Sequence, residues 1–324
     1  MSDSFGAVSI AERDHNGDSL LVWSFPGTDA SMDAHVLKRC TLEMERDAAS
    51  LAAALKFEAV GAVGSLCWSR FQSLWIYMMP FGIGAQNRAL PQISSFTVAL
   101  QSKHFDPEKY GAICISLAQA YAKSGTPLKV LEGYLSILTL GSFGSFEEKQ
   151  YLQTVHSKIS SAPMSWVMES FGVQVVLLWT GMLLKKRIVV YSSKLVESQK
   201  LLRVLPLLVS HRDNWNLLRP YCTGDDAELS ELEGVYCAAL AQPLDSRQDL
   251  WDIYVDIPAL SITVADHARK DLTMTSVHKD LAGALMNVDL HADDCCETLI
   301  NVFQAKTTDV IQKLNILAQA EEVT

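Results

Sequence analysis

The residues best suited to phosphoryl-transfer chemistry are a His-Arg-Asp triplet and a pair of glycines. His211, Arg212 and Asp213 imitate the catalytic loop of a protein kinase, but the asparagine expected five residues after the aspartate is absent. Gly82 and Gly84 lack the third glycine of a dinucleotide-binding loop, and the chain contains no Walker-type phosphate loop. The sequence therefore predicts no nucleotide-hydrolysing or hydride-transferring site.

A second group of reactive side chains lies towards the carboxyl end, where carboxylates and a histidine cluster. The cluster lacks the glycine-centred spacing of a calcium loop, so we predict a solvated loop before a helix and not a metal site. The chain has no G-x-S-x-G or H-E-x-x-H motif, and its eight histidines are scattered. We therefore expect no metal, no cofactor and no covalent catalysis. The cluster consists of Asp289, His291, Asp293, Asp294 and Glu297.

Composition excludes two classes of function. The 324 residues carry a formal net charge of −10, and 49% of them are hydrophobic, as in globular proteins with apolar cores. A nucleic-acid binder and a protein held on membranes by a polybasic face both need clustered Lys and Arg, so neither is expected. Seven cysteines without a C-x-x-C pair predict free thiols in a reducing, cytoplasmic compartment.

One apolar run, residues 171–184, could be taken for a membrane span. It has fourteen residues and includes Gln174 and Thr180, whereas a span needs about twenty apolar residues. We predict a buried helix and no transmembrane segment. The first ten residues lack the basic and apolar regions of a secretory signal, so we expect none.

The first part of the chain predicts a small α+β domain over residues 1–124. Asn16 and Gly17 separate two strand-like segments, which is a strong hairpin signal. Asp106 and Pro107 then mark a helix start, which we extend to residue 123. Residues 43–64 are predicted as an inserted helix or loop, and residues 81–91 as a loop. Strands are predicted over residues 7–12, 20–25, 66–70, 74–79 and 94–100.

The second part predicts an α/β domain over residues 128–320, because helices alternate with short apolar strands. Segment 229–238 fits either type. Helices are predicted over residues 128–138, 163–184, 194–209 and 272–285, and strands over 187–191, 250–255 and 260–264.

The terminal segment has a heptad pattern over nearly three repeats with one polar residue, Thr307. Two interpretations are open. Either a terminal helix docks on the protein's own core, or this seam binds a partner helix or coiled coil. One heptad position holds Ile300, Thr307 and Leu314, and the other holds Phe303, Val310 and Leu317.

Several unusual segments occur in the order found in one protein family. HFDPEKY at 104–110 is followed by SGTPLK at 124–129, MLLKKRIVVY at 182–191 and LPLLVSHRDNW at 205–215. Together with residues 260–264 and 274–279, they resemble the DENN domain family over most of the chain. The resemblance is to the short, stand-alone type, in which a longin-like domain precedes the DENN domain. Residues 43–64 depart from it as an insertion in the longin half.

The resemblance implies a function without bond-breaking machinery. DENN modules act as guanine-nucleotide exchange factors for Rab-type GTPases, and the short type is linked to late endosomes and to Rab27-like substrates. An exchange factor works by binding the nucleotide-free GTPase more tightly than the loaded one. The alternative implied is a non-catalytic scaffold subunit of the Commander endosomal recycling assembly, which would bind a coiled-coil pair.

The residues expected to contact a GTPase lie around 124–128 and 211–221, at the junction of the two predicted domains. Trp215 and Tyr221 are candidate aromatic anchors, joined by Arg212 and Thr126. Trp215 is alternatively a core residue that closes helix 194–209, and Arg212 alternatively lies in solvent. The basic turn of Lys185, Lys186 and Arg187 either contacts an acidic partner or complements a helix dipole.

Overall fold

The computed structural model describes residues 5–40, 60–84, 87–155, 163–209, 215–222, 229–232 and 234–322. The chain divides into two compact units, residues 1–156 and 157–324. The expected change of domain, between residues 124 and 128, falls inside the first unit, between two helices that pack on each other. The assignment of residues 1–124 and 128–320 to longin-like and DENN domains stays a prediction.

The first unit is built on an antiparallel sheet of β1 (Phe5–Asp14), β2 (Ser19–Phe25), β3 (Val60–Val63), β4 (Cys67–Phe71), β5 (Leu74–Ile83) and β6 (Ile93–Ser102). The described strands lie in the order β2-β1-β6-β5-β3, and β4 also pairs with β5. Helix α1 (Ala30–Arg39) follows β2 and buries Met32 and Val36. An N-terminal antiparallel sheet with helices, as the sequence predicted, is confirmed.

Local signals fix the hairpin and the first long helix. β1 and β2 pair antiparallel, and Gly17 supplies the positive φ of 95° that the turn requires. Helix α2 (Pro107–Ser124) begins behind Asp106, whose carboxylate accepts the backbone N–H of Lys109 at 3.1 Å. It packs on β6, where the rings of Tyr121 and Phe96 meet edge to face with centroids 5.1 Å apart.

Three further elements complete the first unit. Helix α3 (Pro127–Leu140) follows α2 directly, and β7 (Ser142–Phe143) then pairs with β8 (Phe146–Glu147) before α4 (Glu148–Val155). A Cβ atom on Gly133 of α3 would collide with Phe143 and would lie 2.8 Å from Leu117 of α2. The two helices and the hairpin are therefore closely packed at this glycine.

Two predicted irregular segments contain strand. Residues 60–63 form β3, so the predicted insertion does not reach residue 64, and its residues 43–59 lie outside the described part of the chain. β5 continues to Ile83, into the predicted loop 81–91. Both segments are extended because β3 pairs antiparallel with residues 81–83 of β5. Gly64, which follows β3 directly, allows Pro80 of β5 to pack against the backbone.

The second unit is an α/β sheet of β9 (Ile188–Tyr191), β10 (Leu218–Cys222), β11 (Cys237–Leu240), β12 (Ile253–Asp256) and β13 (Ser261–Val264). The order is β10-β11-β9-β12-β13, and all neighbours are parallel except β13. Its helices are α5 (Met164–Phe171), α6 (Val175–Leu183), α7 (Leu195–Leu202), α8 (Ser276–Met286) and α9 (Cys295–Glu322). The predicted α/β region with a C-terminal helix is confirmed.

Two predicted helices of the second unit are shorter than expected. The run 171–184 is interrupted at Gly172, where φ is 53°, and continues as a 3-10 turn and then as α6. Helix 194–209 ends at Leu202, and a separate 3-10 turn follows at Leu205–Leu208. Pro206 sits in that turn because proline lacks the N–H that a continuing helix needs. Segment 229–238, left open, leads into β11.

The apolar segment of the second unit is largely buried. Within the described residues, Met164–Leu183 is the one stretch whose length and composition would allow a membrane crossing, a test that buried core helices also pass. Of its most apolar window, 56% is buried inside the protein. Trp179 and Leu178 are fully enclosed, as expected for a core helix.

Candidate functional site

One contact that resembles a nucleophile–base pair joins His35 and Ser69, which are 2.9 Å apart and buried. The guanidinium of Arg39 lies 3.1 Å from Nδ1 of His35 and can only donate, so Nδ1 accepts and Nε2 carries the proton. Nε2 therefore donates to Ser69 and cannot remove its proton. Burial, followed by the charges of Arg39 and Lys38, lowers the pKa of His35 to about 3. The pair is structural, and no local sequence pattern indicates it.

The acidic cluster near the carboxyl end has no metal-binding geometry. Among the described residues, no three His, Cys, Asp or Glu side chains converge on a point that could hold an ion. Asp289 accepts the backbone N–H of His291 at 3.0 Å, which orders the loop before α9. The predicted solvated loop thus precedes a helix that begins at Cys295.

The predicted aromatic anchors lie at one edge of the parallel sheet. Trp215 begins a one-turn 3-10 helix, and Tyr221 lies on β10, the last strand of the described sheet on that side. Both side chains are half-buried, so Trp215 is neither an enclosed core residue nor a fully exposed one. The amide of Gln199 donates to the carbonyl of Pro220 at 2.7 Å and fixes the strand on α7. Arg212 lies outside the described residues.

Thr126 caps a helix in the first unit. Its hydroxyl accepts the N–H of Leu128 at 3.4 Å, at the start of α3. Gly125 ends α2 with φ of 65°, and a Cβ atom there would collide with the carbonyl of Ala89. The junction between α2 and α3 is therefore short and tightly packed, and it presents Thr126 half-buried at the surface.

Helix α3 is apolar on two faces. Its inner face buries Val130, Tyr134 and Ile137 against the unit. Its outer face has leucines at spacings of three, four and three residues, which place them on one side of a helix. Leu128 is 70% exposed and Leu135 is 42% exposed. The other two are half-buried. We call this set the α3 leucine stripe, and its members are Leu128, Leu131, Leu135 and Leu138.

The α3 leucine stripe was not identified from the sequence. A signal for it was present in the sequence. The segment PLKVLEGYLSILTL contains more apolar residues than a helix with one buried face needs. Two of the four leucines are exposed although a surface helix normally turns polar residues outward. An exposed apolar row of this kind is typical of an interaction surface.

The basic turn is largely engaged inside the second unit. Lys186 Nζ lies 2.6 Å from the carboxylate of Asp271. The carboxylate of Asp252 accepts the backbone N–H of Arg187 at 2.7 Å and its guanidinium at 3.2 Å. Burial opposes ionisation of Asp252, but the hydrogen bonds from Arg187 hold its pKa below the usual 3.8. Lys185 is exposed and has a positive φ of 57°.

The terminal helix α9 has two different halves. Phe303 and Thr307 are fully buried in the second unit, and the hydroxyl of Thr307 accepts the indole N–H of Trp179. Ile300 and Val310 are half-buried. Further along, Leu314 is 58% exposed. The first half of α9 therefore docks on the protein's own core, as in the first interpretation of the seam. The second half has an exposed apolar surface of the kind that the second interpretation requires, and this surface also includes Ile316 and Leu317.

Comparison with known proteins identifies the family. The family model described as SPA, Stabilization of polarity axis, matches residues 161–266. DENN domain-containing protein 10 of Dictyostelium discoideum is 30% identical, over 98% of this chain and 88% of that protein. The Danio rerio protein of that name is 29% identical over 96% of this chain and 87% of its own length, and the Homo sapiens protein 28% over 95% and 84%. The resemblance stated from the sequence is confirmed, and the chain belongs to the DENN domain-containing protein family.

Proposed function

We propose that this protein is an exchange factor for a Rab-type small GTPase, acting by preferential binding of the nucleotide-free form. Members of the DENN family generally act as exchange factors for Rab GTPases. A Rab27-like GTPase is the partner we propose. The chemistry required is differential affinity, and it needs no nucleophile, metal or cofactor on this chain.

The observation that carries the proposal is the α3 leucine stripe, which starts beside Thr126. A hundredfold faster release of nucleotide corresponds to about 2.7 kcal/mol of preferential binding. At about 25 cal/mol per Å² this requires roughly 110 Å² of additional apolar burial. The exposed parts of Leu128 and Leu135 suffice for burial of that order.

Charge supports an apolar contact at this surface. The two charged residues of α3, Lys129 and Glu132, pair with each other on the exposed side of the helix. Their pairing leaves the α3 leucine stripe without net charge along its length. The half-buried Trp215 and Tyr221 of the second unit remain further candidate anchors, since aromatic residues contribute strongly at interfaces.

The test is release of a fluorescent GDP analogue from a panel of Rab GTPases, including Rab27-like members, with micromolar protein. We expect accelerated release from at least one member and at least a tenfold loss of that acceleration in Leu128→Glu/Leu135→Glu. Leu20→Glu, at an exposed position on β2, is the matched control and should retain it. Unchanged release across the panel would discard the exchange activity. Retained activity in the double variant would discard this surface.

We further propose that the protein is cytoplasmic and is recruited to late endosomes by its GTPase. Fluorescently tagged protein should colocalise with a late-endosomal marker. The Leu128→Glu/Leu135→Glu variant should become diffuse while Leu20→Glu remains punctate. Equal distribution of both variants would mean that GTPase binding does not determine where the protein is located.

A second candidate function is a scaffold role in the Commander assembly, and it is favoured by the exposed second half of α9. A coiled-coil pair would cover Leu314 and Leu317, which are 58% and 61% exposed. Point variants test this better than truncation at Glu297, because truncation would also remove the buried Phe303. We expect Leu314→Glu/Leu317→Glu to lose capture of the purified coiled-coil pair and Leu20→Glu to retain it. Equal capture by both would exclude this docking surface.

A further inference from the structure

We propose that two adjoining turns of the second unit, residues 184–187 and 269–275, form a contact surface for an anionic phospholipid membrane. We call it the basic rim, and its outward members are Leu184, Lys185, Lys270 and Met274. This inference is independent of the proposed GTPase contact, because the basic rim shares no residue with the α3 leucine stripe and does not include Trp215 or Tyr221.

Ion pairs hold the two turns next to each other. Lys186 Nζ and the carboxylate of Asp271 are 2.6 Å apart, and they bridge 85 residues of sequence. Asp252 binds both Arg187 and His267, at 3.2 Å and 2.8 Å, and so also ties the first turn to a residue just before the second. Lys185 and Lys270 are the immediate chain neighbours of the Lys186–Asp271 pair, so their backbones lie close together, and both residues are exposed.

The local charge is opposite to that of the protein. The basic rim contains five Lys or Arg and one Asp, and Lys279 in the first turns of α8 adds a sixth cation, in a chain with 27 basic and 37 acidic residues. Three of these cations are neutralised, Lys186 by Asp271, Arg187 by Asp252 and Arg269 by Asp266. The three lysines that remain, Lys185, Lys270 and Lys279, are exposed and have no ion-pair partner among the described residues.

Apolar side chains stand beside these cations. Leu184 is 46% exposed at the end of α6, and Met274 is 48% exposed just before α8. Lysines attract phosphate groups, while exposed leucine and methionine enter the boundary between headgroups and acyl chains. An acidic peptide would use the lysines alone, so the combination favours a membrane.

The expected affinity is modest. Each lysine near an anionic surface contributes about fivefold to partitioning. Two or three lysines with two partly exposed apolar residues therefore cannot hold the protein unaided, since stable anchoring takes two signals. The basic rim would act together with a membrane-bound partner, and would set which side of the second unit faces the bilayer.

The test is co-flotation of the full chain with vesicles of phosphatidylcholine alone or with 30% phosphatidylserine. We expect binding to the anionic vesicles, weakening as salt rises because the attraction is screened. Lys185→Glu/Lys270→Glu should reduce binding by at least twentyfold. The matched control Lys103→Glu/Lys149→Glu makes the same charge change at exposed lysines of the first unit and should stay within about threefold.

A second measurement locates the contact. Hydrogen exchange with anionic vesicles should slow in peptides covering residues 184–187 and 269–275, and Leu184→Ser/Met274→Ser should lose part of the binding without a change in melting temperature. Equal binding of the two lysine double variants, no preference for anionic vesicles, or protection confined to other segments would each overturn the proposal. Binding to an acidic peptide but not to vesicles would do the same.

Discussion

The indole N–H of Trp179 donates a hydrogen bond to the hydroxyl of Thr307 across 2.9 Å, and both side chains are buried. The hydroxyl in turn donates to the carbonyl of Phe303 at 2.8 Å, one turn back along α9. The polar residue in the terminal heptad pattern therefore satisfies a tryptophan that would otherwise lack an acceptor. It joins α9 to the apolar helix α6.

Thr307→Val should lower the free energy of unfolding by about 1–3 kcal/mol, because the Trp179 N–H would stay buried without its acceptor. The matched control is Thr97→Val, since the Thr97 hydroxyl is buried and has no hydrogen-bond partner among the residues that the structure describes. That variant should be neutral or slightly stabilising. Urea unfolding monitored by circular dichroism compares the two. Equal destabilisation would mean that the hydrogen bond contributes nothing specific.

The two halves of α9 should differ in their contribution to stability. Phe303→Ala should cost about 3–5 kcal/mol, because it removes a fully enclosed ring and leaves a cavity. Leu317→Ala should change stability by no more than about 0.5 kcal/mol, since its side chain is largely in solvent. Thermal melting of both variants checks this. A large loss for Leu317→Ala would show that the second half of α9 also packs on the protein.

Asp252→Asn should destabilise the second unit at pH 7 by about 1–3 kcal/mol, because Arg187 would lose its charged hydrogen-bond partner. The pKa of Asp252 is lower in the folded protein than its usual 3.8, so its stabilisation is present above that pH and is lost as pH falls through the folded value. The difference between variant and wild type should therefore hold from pH 7 to about 4 and shrink below. Urea midpoints across that range measure it, and a difference that is constant down to pH 2 would contradict it.

His35 should make the first unit sensitive to mild acid. The pKa of His35 is about 3 in the folded protein and 6.5 without burial, so the unfolded chain binds the extra proton throughout that window. Stability should consequently fall as pH drops below 6.5. Between pH 7 and 5 wild type should lose about 1–2 kcal/mol more than His35→Gln. Parallel slopes for the two proteins in urea titrations would refute this role.

Elements defined by local signals were predictable from the sequence. The turn at Asn16 and Gly17 and the helix start at Asp106 and Pro107 each contain the conformational preference that produces the element. The predictions were wrong where a contact between residues distant in sequence determines the structure. Residues 60–63 form a strand because they pair with residues 81–83 of β5, and nothing near residue 60 encodes that pairing.

The same distinction applies to the candidate surfaces. The basic turn was visible in the sequence, but its ion pairs join residues 65 and 85 positions apart, which no spacing rule connects. The α3 leucine stripe was overlooked for a different reason. The sequence predicts a helix over residues 128–138 but not which of its leucines face inward, and only the packing of Tyr134 and Val130 separates the inner face from the outer one.

The left-handed Gly125 has a consequence for how a partner would associate. Only Gly125 and Thr126 join α2 to α3. The outer leucines are therefore held in position before any partner binds. No segment at this junction has to become ordered when a partner binds. Such ordering would cost about 1–2 kcal/mol of conformational entropy for each residue fixed. The association rate at α3 would therefore be limited by how often the two surfaces collide in a suitable orientation. That rate would depend on solution viscosity more than on the stiffness of the chain.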